Sequence, residues 1–284
     1  MTGDARQRVP SALRQRMVTA SVLVPVVVAA VIWLPSNYLA LAIAGVMLLG
    51  AWEWSLLAGL SRTGARLLYL LLVCVAIGGL WWFDSPLIVL LVLGVACLWW
   101  LLQAFRMLRV RQVDRKRGFS LSQAAAGLLV LIPAWLALLT LHRQGDGGYA
   151  LVLFLLVLTW VADTLAYFAG RRWGRHKLAP LISPGKTTEG AYGAMAGALL
   201  CGALLAWQLA DSPGQGIALV GLCLVTAFLS ILGDLRESLL KRQRGAKDSG
   251  SLLPGHGGVL DRIDSLTAAA PVFAVGILWL GGAS

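Results

Sequence analysis

Stretches of roughly 20 apolar residues recur from one end of this chain to the other, separated by short polar segments. Each is close to the length needed to cross a hydrocarbon core as a helix. No water is available there to satisfy backbone N–H and C=O groups, so repeated apolar runs of this length restrict the chain to membrane-spanning helices. Nine candidate spans can be drawn, at about 17–34, 38–60, 67–83, 86–105, 124–142, 149–170, 190–210, 216–233 and 265–282. Composition agrees: 58% of the 284 residues are hydrophobic and 13% are charged, against about a quarter charged in an average soluble domain. The mean hydropathy is +0.78. The expected fold is an all-α polytopic membrane protein with about nine transmembrane helices. It forms a single membrane domain, 1–284, in which 1–145 is hydrophobic spans and 146–284 holds the spans and loops that carry the polar chemistry.

The charges test this division. Loops on the cytoplasmic side of a membrane collect Lys and Arg. When the segments between spans are assigned alternately to two sides, 23 of the 24 Lys and Arg fall on one side. The other side has Arg143 alone, with Asp84, Asp146 and Asp211. The pattern predicts a cytoplasmic N-terminus and an outside C-terminus. It also accounts for the net charge of +11 without a nucleic-acid partner, since a basic face suits an anionic leaflet. The basic N-terminus followed by an apolar stretch resembles a signal peptide, but the stretch is long and no small-residue cleavage site follows it, so it reads as a retained first span. Cys74, Cys97, Cys201 and Cys223 lie singly within spans, without CxxC spacing, and read as packing residues.

Polar chemistry concentrates on the basic side of the second half, in the segments 171–189 and 234–264, which read as loops. A transporter needs functional groups at both faces, so this one-sided distribution points to an enzyme. The stretch DRIDS places Asp261 and Asp264 three residues apart, on one face if helical, where span nine begins. Asp234 lies at the end of span eight. Three carboxylates at adjacent span ends call for a cation, and an all-oxygen set favours Mg²⁺; the alternative is that they cap helix termini. Lys241, Arg242, Lys247 and Arg262 bracket the acids, and metal ligands interleaved with bases suit a polyphosphate. The glycines of GHGG, 255–258, precede a helix and can cradle an anion, with His256 as a phosphate donor or a structural residue. In SPGKTTEG, 183–190, the GKT tempts a P-loop assignment, but the position five residues before Gly185 is Pro180 and no apolar strand precedes it. Ser183, Lys186 and Thr187 remain sensible triphosphate contacts. Asp163 and Glu53 lie within apolar spans, where a carboxylate costs roughly 2.5–3.5 kcal/mol, so each should face a polar cavity or partner.

With these residues in view, the chain resembles the phosphatidate cytidylyltransferases, also called CDP-diacylglycerol synthases. The resemblance rests on Ser238, Lys241-Arg242, Lys247-Asp248, Gly250, Pro254, His256-Gly257-Gly258, Asp261-Arg262 and Asp264, with SPGKTTEG upstream. Gly185 stands where many members carry a larger polar residue. The resemblance spans roughly residues 155–265. It implies transfer of the cytidylyl group of CTP to phosphatidate, giving CDP-diacylglycerol and pyrophosphate. It also implies Mg²⁺, a second cation such as K⁺, a bacterial cytoplasmic (inner) membrane, membrane lipid as the surroundings of the acceptor, and a homodimer. On this reading Asp234, Asp261 and Asp264 hold the metal. Ser183, Lys186, Thr187, Lys247, Asp248 and the GHGG segment hold CTP, and Arg242 and Arg262 bridge lipid and nucleotide phosphates. The rival readings are a CTP-dependent lipid kinase, which would form CDP rather than pyrophosphate, another membrane phosphotransferase such as a prenyl-phosphate sugar transferase, and a transporter built on Asp163 and Glu53.

Overall fold

The structure is a computed structural model, and it describes residue 19 and residues 21–110, 112–250, 252 and 257–281. Its helices are α1 (Ser21–Trp33), α2 (Ser36–Leu57), α3 (Thr63–Trp82), α4 (Pro86–Leu108), α5 (Leu121–His142), α6 (Gly148–Trp173), α7 (Thr188–Leu209), α8 (Pro213–Arg244) and α9 (Leu260–Gly281). Eight of the described helices, α2 to α9, are long and apolar enough to cross a membrane, which makes this an integral multi-pass membrane protein. The described part of α1 is shorter. A two-stranded antiparallel hairpin, β1 (Lys177–Ala179) with β2 (Ser183–Thr187), sits between α6 and α7.

The helices form a bundle around α5 and α9. α5 is buried along most of its length, and α9 packs against α8, α5 and α4. The aromatic residues there satisfy their polar tips on backbone carbonyls, as burial in an apolar medium requires. Trp54 Nε1 donates to Gln123 O (2.7 Å), Trp135 Nε1 to Ala40 O (2.9 Å) and the Tyr69 hydroxyl to Ala124 O (3.0 Å). In contrast, α3 and α4 expose rows of leucine and valine, such as Leu68, Leu71, Leu72 and Leu87, Leu91, Leu98. An apolar face of that extent is the lipid-contacting surface of a span.

Helix pairs α6–α7 and α7–α8 approach closely through small residues, the usual means of packing where lipid tails leave no hydrophobic drive between helices. A methyl at Gly193 would lie 2.6 Å from Ala169 Cβ, and one at Gly202 would lie 2.9 Å from Val220 Cα.

Contacts between loops confirm the alternation of chain ends. At one end, His142 lies 2.9 Å from Ser36 Oγ and 3.0 Å from Val31 O. Arg143, the lone basic residue of that side, pairs with Asp84 at 2.8 Å, and Gln215 reaches Leu280 O. At the other end, Arg244 bonds the carbonyls of Leu57, Lys116 and Gly118, and Ser120 N bonds Ala58 O.

Two expected loops are corrected. Residues 234–244 continue α8 as helix. At 1.5 Å per residue its 32 residues span about 48 Å, well beyond a hydrocarbon core of about 30 Å, so its polar end projects out of the apolar bundle. It stops at Gly245 (φ 70°), whose N–H bonds Arg242 O, the left-handed cap that glycine permits. Segment 171–189 begins as helix α6 and continues as the hairpin, and α9 begins at Leu260, before Asp261.

The close α7–α8 contact yields a prediction. Gly202→Leu must push the Val220 backbone away and should destabilise the protein by about 1–3 kcal/mol, lowering the unfolding midpoint in detergent by several degrees. Gly94→Ala, which meets nothing within 4 Å, should leave the midpoint within a degree or so.

Candidate active site

The polar end of α8 presents Asp234, Glu237, Ser238 and Lys241 on one helical face, at spacings of three, four and seven residues. The first turn of α9 presents Asp261 and Asp264 opposite them. The two helices cross closely here, because a methyl at Gly233 would lie 2.5 Å from the Asp264 carbonyl oxygen. The crossing places an acidic and basic array where the apolar bundle ends.

Asp261 is the most heavily bonded of these acids. Its Oδ1 receives Lys241 Nζ at 2.5 Å. Its Oδ2 accepts from Ser249 N (3.0 Å) and Gly258 N (2.8 Å), with Ser249 Oγ also at 3.0 Å. A carboxylate offers about four acceptor positions, so Asp261 is nearly saturated. Gly257, at φ +82°, closes the turn: a methyl there would lie 2.8 Å from Asp261 Oδ2.

A second ion pair ties the hairpin to α8. Lys186 Nζ lies 2.7 Å from Asp234 Oδ2, and Asp234 Oδ1 accepts from Ser238 Oγ at 3.1 Å. Asp163 of α6 lies within electrostatic reach of this pair. Arg242 is engaged with the carbonyls of Ile182 and Ala246, and so fixes the hairpin turn to the end of α8. Thr187 is buried, and its Oγ1 accepts from Gly190 N at 3.1 Å as the N-cap of α7. Lys247, Asp248 and Arg262 are exposed around the array, and Ser183 is half-buried. His256, and with it most of the expected GHGG cradle, lies outside the described residues. Gly257 and Gly258 are within them, and their observed contacts are to Asp261.

The three acids expected to form one metal set are therefore divided. Asp261 faces Lys241, Asp234 faces Lys186, and Asp264 lies beside Glu237. Among the described residues no group of three His, Cys, Asp or Glu stands in metal-ligating geometry. The physical reason is that two lysines neutralise Asp234 and Asp261 directly. The donor chemistry nevertheless fits a hard cation. Glu237 is 2% exposed and its carboxylate lies within hydrogen-bonding distance of the Asp264 carboxyl, but neither of its oxygens receives an N–H or hydroxyl donor; Lys241 Nζ stands 3.4 Å away. It lines a small cavity with Arg236, Asp264, Thr267, Trp54 and Trp100. Buried carboxylate oxygens short of donors, beside Asp264, suit Mg²⁺, which takes one or two carboxylates and fills its shell with water and phosphate oxygens.

Three participants were missed in the sequence. Glu237 was overlooked because span eight was ended at 233; its i, i+4 spacing to Lys241 was the available signal. Ser249 carries no signal of its own outside the turn. Arg236 is buried and donates to Gln123 Oε1 at 2.7 Å, a pairing between helices that no local pattern announces.

Comparison with known proteins is decisive at this point. Residues 14–279 match the model of the Cytidylyltransferase family. The chain belongs to that family. It is 43% identical over 271 residues to a phosphatidate cytidylyltransferase of Pseudomonas aeruginosa, covering 95% of this chain and 98% of that protein. It is 37% identical over 287 residues to one of Haemophilus influenzae, covering 92% and 97%. A third, from Brucella abortus, is 38% identical over 233 residues, covering 82% of this chain and 79% of that protein. The array described above thus belongs to a nucleotidyltransferase enzyme.

Replacing Asp261 tests the array. Asp261→Asn removes the charge that Lys241 faces and sets an amide NH₂ among N–H donors. Turnover should fall by at least about 100-fold, the effect of a displaced reacting group, while the protein still elutes from a sizing column as a folded species. Near-normal turnover in that variant would remove Asp261 from the site.

Proposed function

We propose that this enzyme transfers the cytidylyl group of CTP to phosphatidate, giving CDP-diacylglycerol and pyrophosphate, at the cytoplasmic face of a bacterial inner membrane. The observation that carries the reading is the pairing of two lysines with two aspartates at the mouth of the bundle, Lys186 with Asp234 and Lys241 with Asp261, in a chain of the cytidylyltransferase family. Support for the membrane face comes from the charge distribution: the array lies at the end of the bundle that holds nearly all the Lys and Arg.

The chemistry follows from the substrates. A phosphate oxygen of phosphatidate attacks the α-phosphorus of CTP. A new P–O bond forms, the bond from the α-phosphorus to its bridging oxygen breaks, and pyrophosphate leaves with the electron pair. The nucleophile is already anionic, so no strong general base is required. The protein's task is to bring two polyanions into line against their repulsion. Lys186, on β2, and Lys247 neutralise the nucleotide phosphates, with Ser183 and Asp248 at the rim and the Gly257-Gly258 backbone beside them. Thr187, whose oxygen caps α7, contributes by fixing the start of that helix beside β2. Arg262, exposed on the first turn of α9, takes the lipid phosphate. Arg242 holds the hairpin turn against α8.

Mg²⁺ held by Asp264 and the open oxygens of Glu237, with Asp234 and Asp261 beside them, would supply charge neutralisation of the triphosphate and the leaving group. As phosphate oxygens arrive, Lys186 and Lys241 exchange carboxylate partners for phosphate, which couples CTP binding to release of the acids. The water-soluble nucleotide and the bilayer-held lipid share only the interface, and the array sits there.

Purified protein in detergent, supplied with CTP and Mg²⁺, should release pyrophosphate only when phosphatidate is present, with formation of a CDP-lipid. Formation of CDP without pyrophosphate would contradict the reading in favour of a lipid kinase.

A further inference from the structure

Glu53 belongs to α2, some 200 residues before the polar stretch that leads into α9, and it is 2% exposed. Among the described residues, its three hydrogen bonds all come from that stretch. Its carboxylate lies 3.0 Å from Ser249 Oγ and accepts from Val259 N (3.0 Å) and Leu260 N (2.8 Å). Val259 and Leu260 supply two of the unpaired N–H groups at the start of α9, so a carboxylate from a distant helix caps it. Ser249 Oγ is also 3.0 Å from Asp261 Oδ2. Its single proton serves one acid at a time, and the hydroxyl links Glu53 to the carboxylate at the centre of the array.

The fit around this carboxylate is close. A methyl at Gly250 would lie 2.4 Å from Glu53 Oε1, and its next two neighbours would be Cδ and Cγ of the same side chain. A methyl at Gly258 would lie 2.4 Å from Glu53 Oε2. Neither glycine has a positive φ, so it is contact, not backbone conformation, that excludes a side chain. At Gly250 the three nearest atoms all belong to Glu53. A second tie reaches α2 from the preceding helix: Arg244, near the end of α8, donates to Leu57 O at the end of α2 (2.7 Å).

We propose that Glu53 is a positioning residue for the reaction. It clamps Ser249 and Gly250 on one side and Gly258, Val259 and Leu260 on the other against α2, and so sets where Asp261, Lys241 and the first turn of α9 stand relative to the reacting phosphates. The proposal rests on the cytidylyl-transfer reading for its kinetic consequence and on geometry for the clamp itself. Nothing about α2 touches the phosphates directly; its effect passes through Ser249 and the α9 N-terminus. This gives the N-terminal half of the chain a part in the chemistry besides that of membrane scaffold.

The test uses full-length protein in detergent with phosphatidate and Mg²⁺. Glu53→Gln keeps the shape and loses the charge that binds three donors. It should lower kcat by about 100-fold, the cost of small misplacement, with the KM for CTP changed by less than about 3-fold. Hydrogen exchange should show the amides of Ser249, Gly258, Val259 and Leu260 losing protection while those of α5 keep theirs. Gly250→Ala reaches the same contact without removing the carboxylate, and should produce the same kcat loss and the same local deprotection. In a Glu53→Ala background, Gly250→Ala should cost little more, because the group it strikes is gone. Wild-type kcat in Glu53→Gln or Gly250→Ala, or losses that multiply in the double variant, would overturn the proposal. Should Glu53 variants fail to fold, Gly250→Ala alone decides between the two outcomes. Should the unaltered enzyme transfer no cytidylyl group, the functional reading fails, while hydrogen exchange in Glu53→Gln still reports on the clamp.

Discussion

The contact on which the site depends is the pair formed by Lys241 and Asp261 where α8 and α9 cross. Lys241 Nζ stands 2.5 Å from Asp261 and 3.4 Å from Glu237, with both the lysine and Asp261 side chains largely shielded from solvent. A shielded ammonium group survives only with compensating charge close by, and removing either member leaves the other uncompensated. The same Asp261 carboxylate draws in the amides of Ser249 and Gly258. One side chain therefore closes the helix crossing and fixes both sides of the connecting segment.

The Lys186–Asp234 pair repeats this design about two turns earlier on the same face of α8, with the hairpin as the tethered element. Between them the two pairs hold four charges of balanced sign at the edge of an apolar bundle. The less solvated acids, Asp264 and Glu237, lie just inside. Both line a cavity with Trp54 and Trp100.

The helices were legible in the sequence, and for a plain reason. Apolar runs near 20 residues and one-sided Lys and Arg are imposed by the bilayer and need no tertiary context. The boundary of α8 was not legible, since hydropathy reports where the membrane ends and not where a helix ends; the continuation through LRESLLKRQR is helical because its polar residues fall on faces that pack on α9 and the hairpin. The residues of the array were found by their types and spacing, Asp261 and Asp264 above all. Their pairing was not, because the partners lie 20 residues away in Lys241 and 48 away between Lys186 and Asp234. Glu53 shows the same limit most plainly. Its burial within a span marked it as needing a partner, but the partners are backbone amides of a segment at the far end of the chain, and backbone amides leave no signature in sequence.

The measurement that tests this account most directly follows the label from CTP marked at its α-phosphorus or, separately, at its γ-phosphorus, using purified enzyme, phosphatidate and Mg²⁺. The account predicts that the α label enters the lipid product and the γ label is recovered in pyrophosphate. Transfer of the γ label to the lipid, with the α label left in CDP, would contradict it, and would mean that the paired lysines and aspartates serve a different phosphoryl transfer.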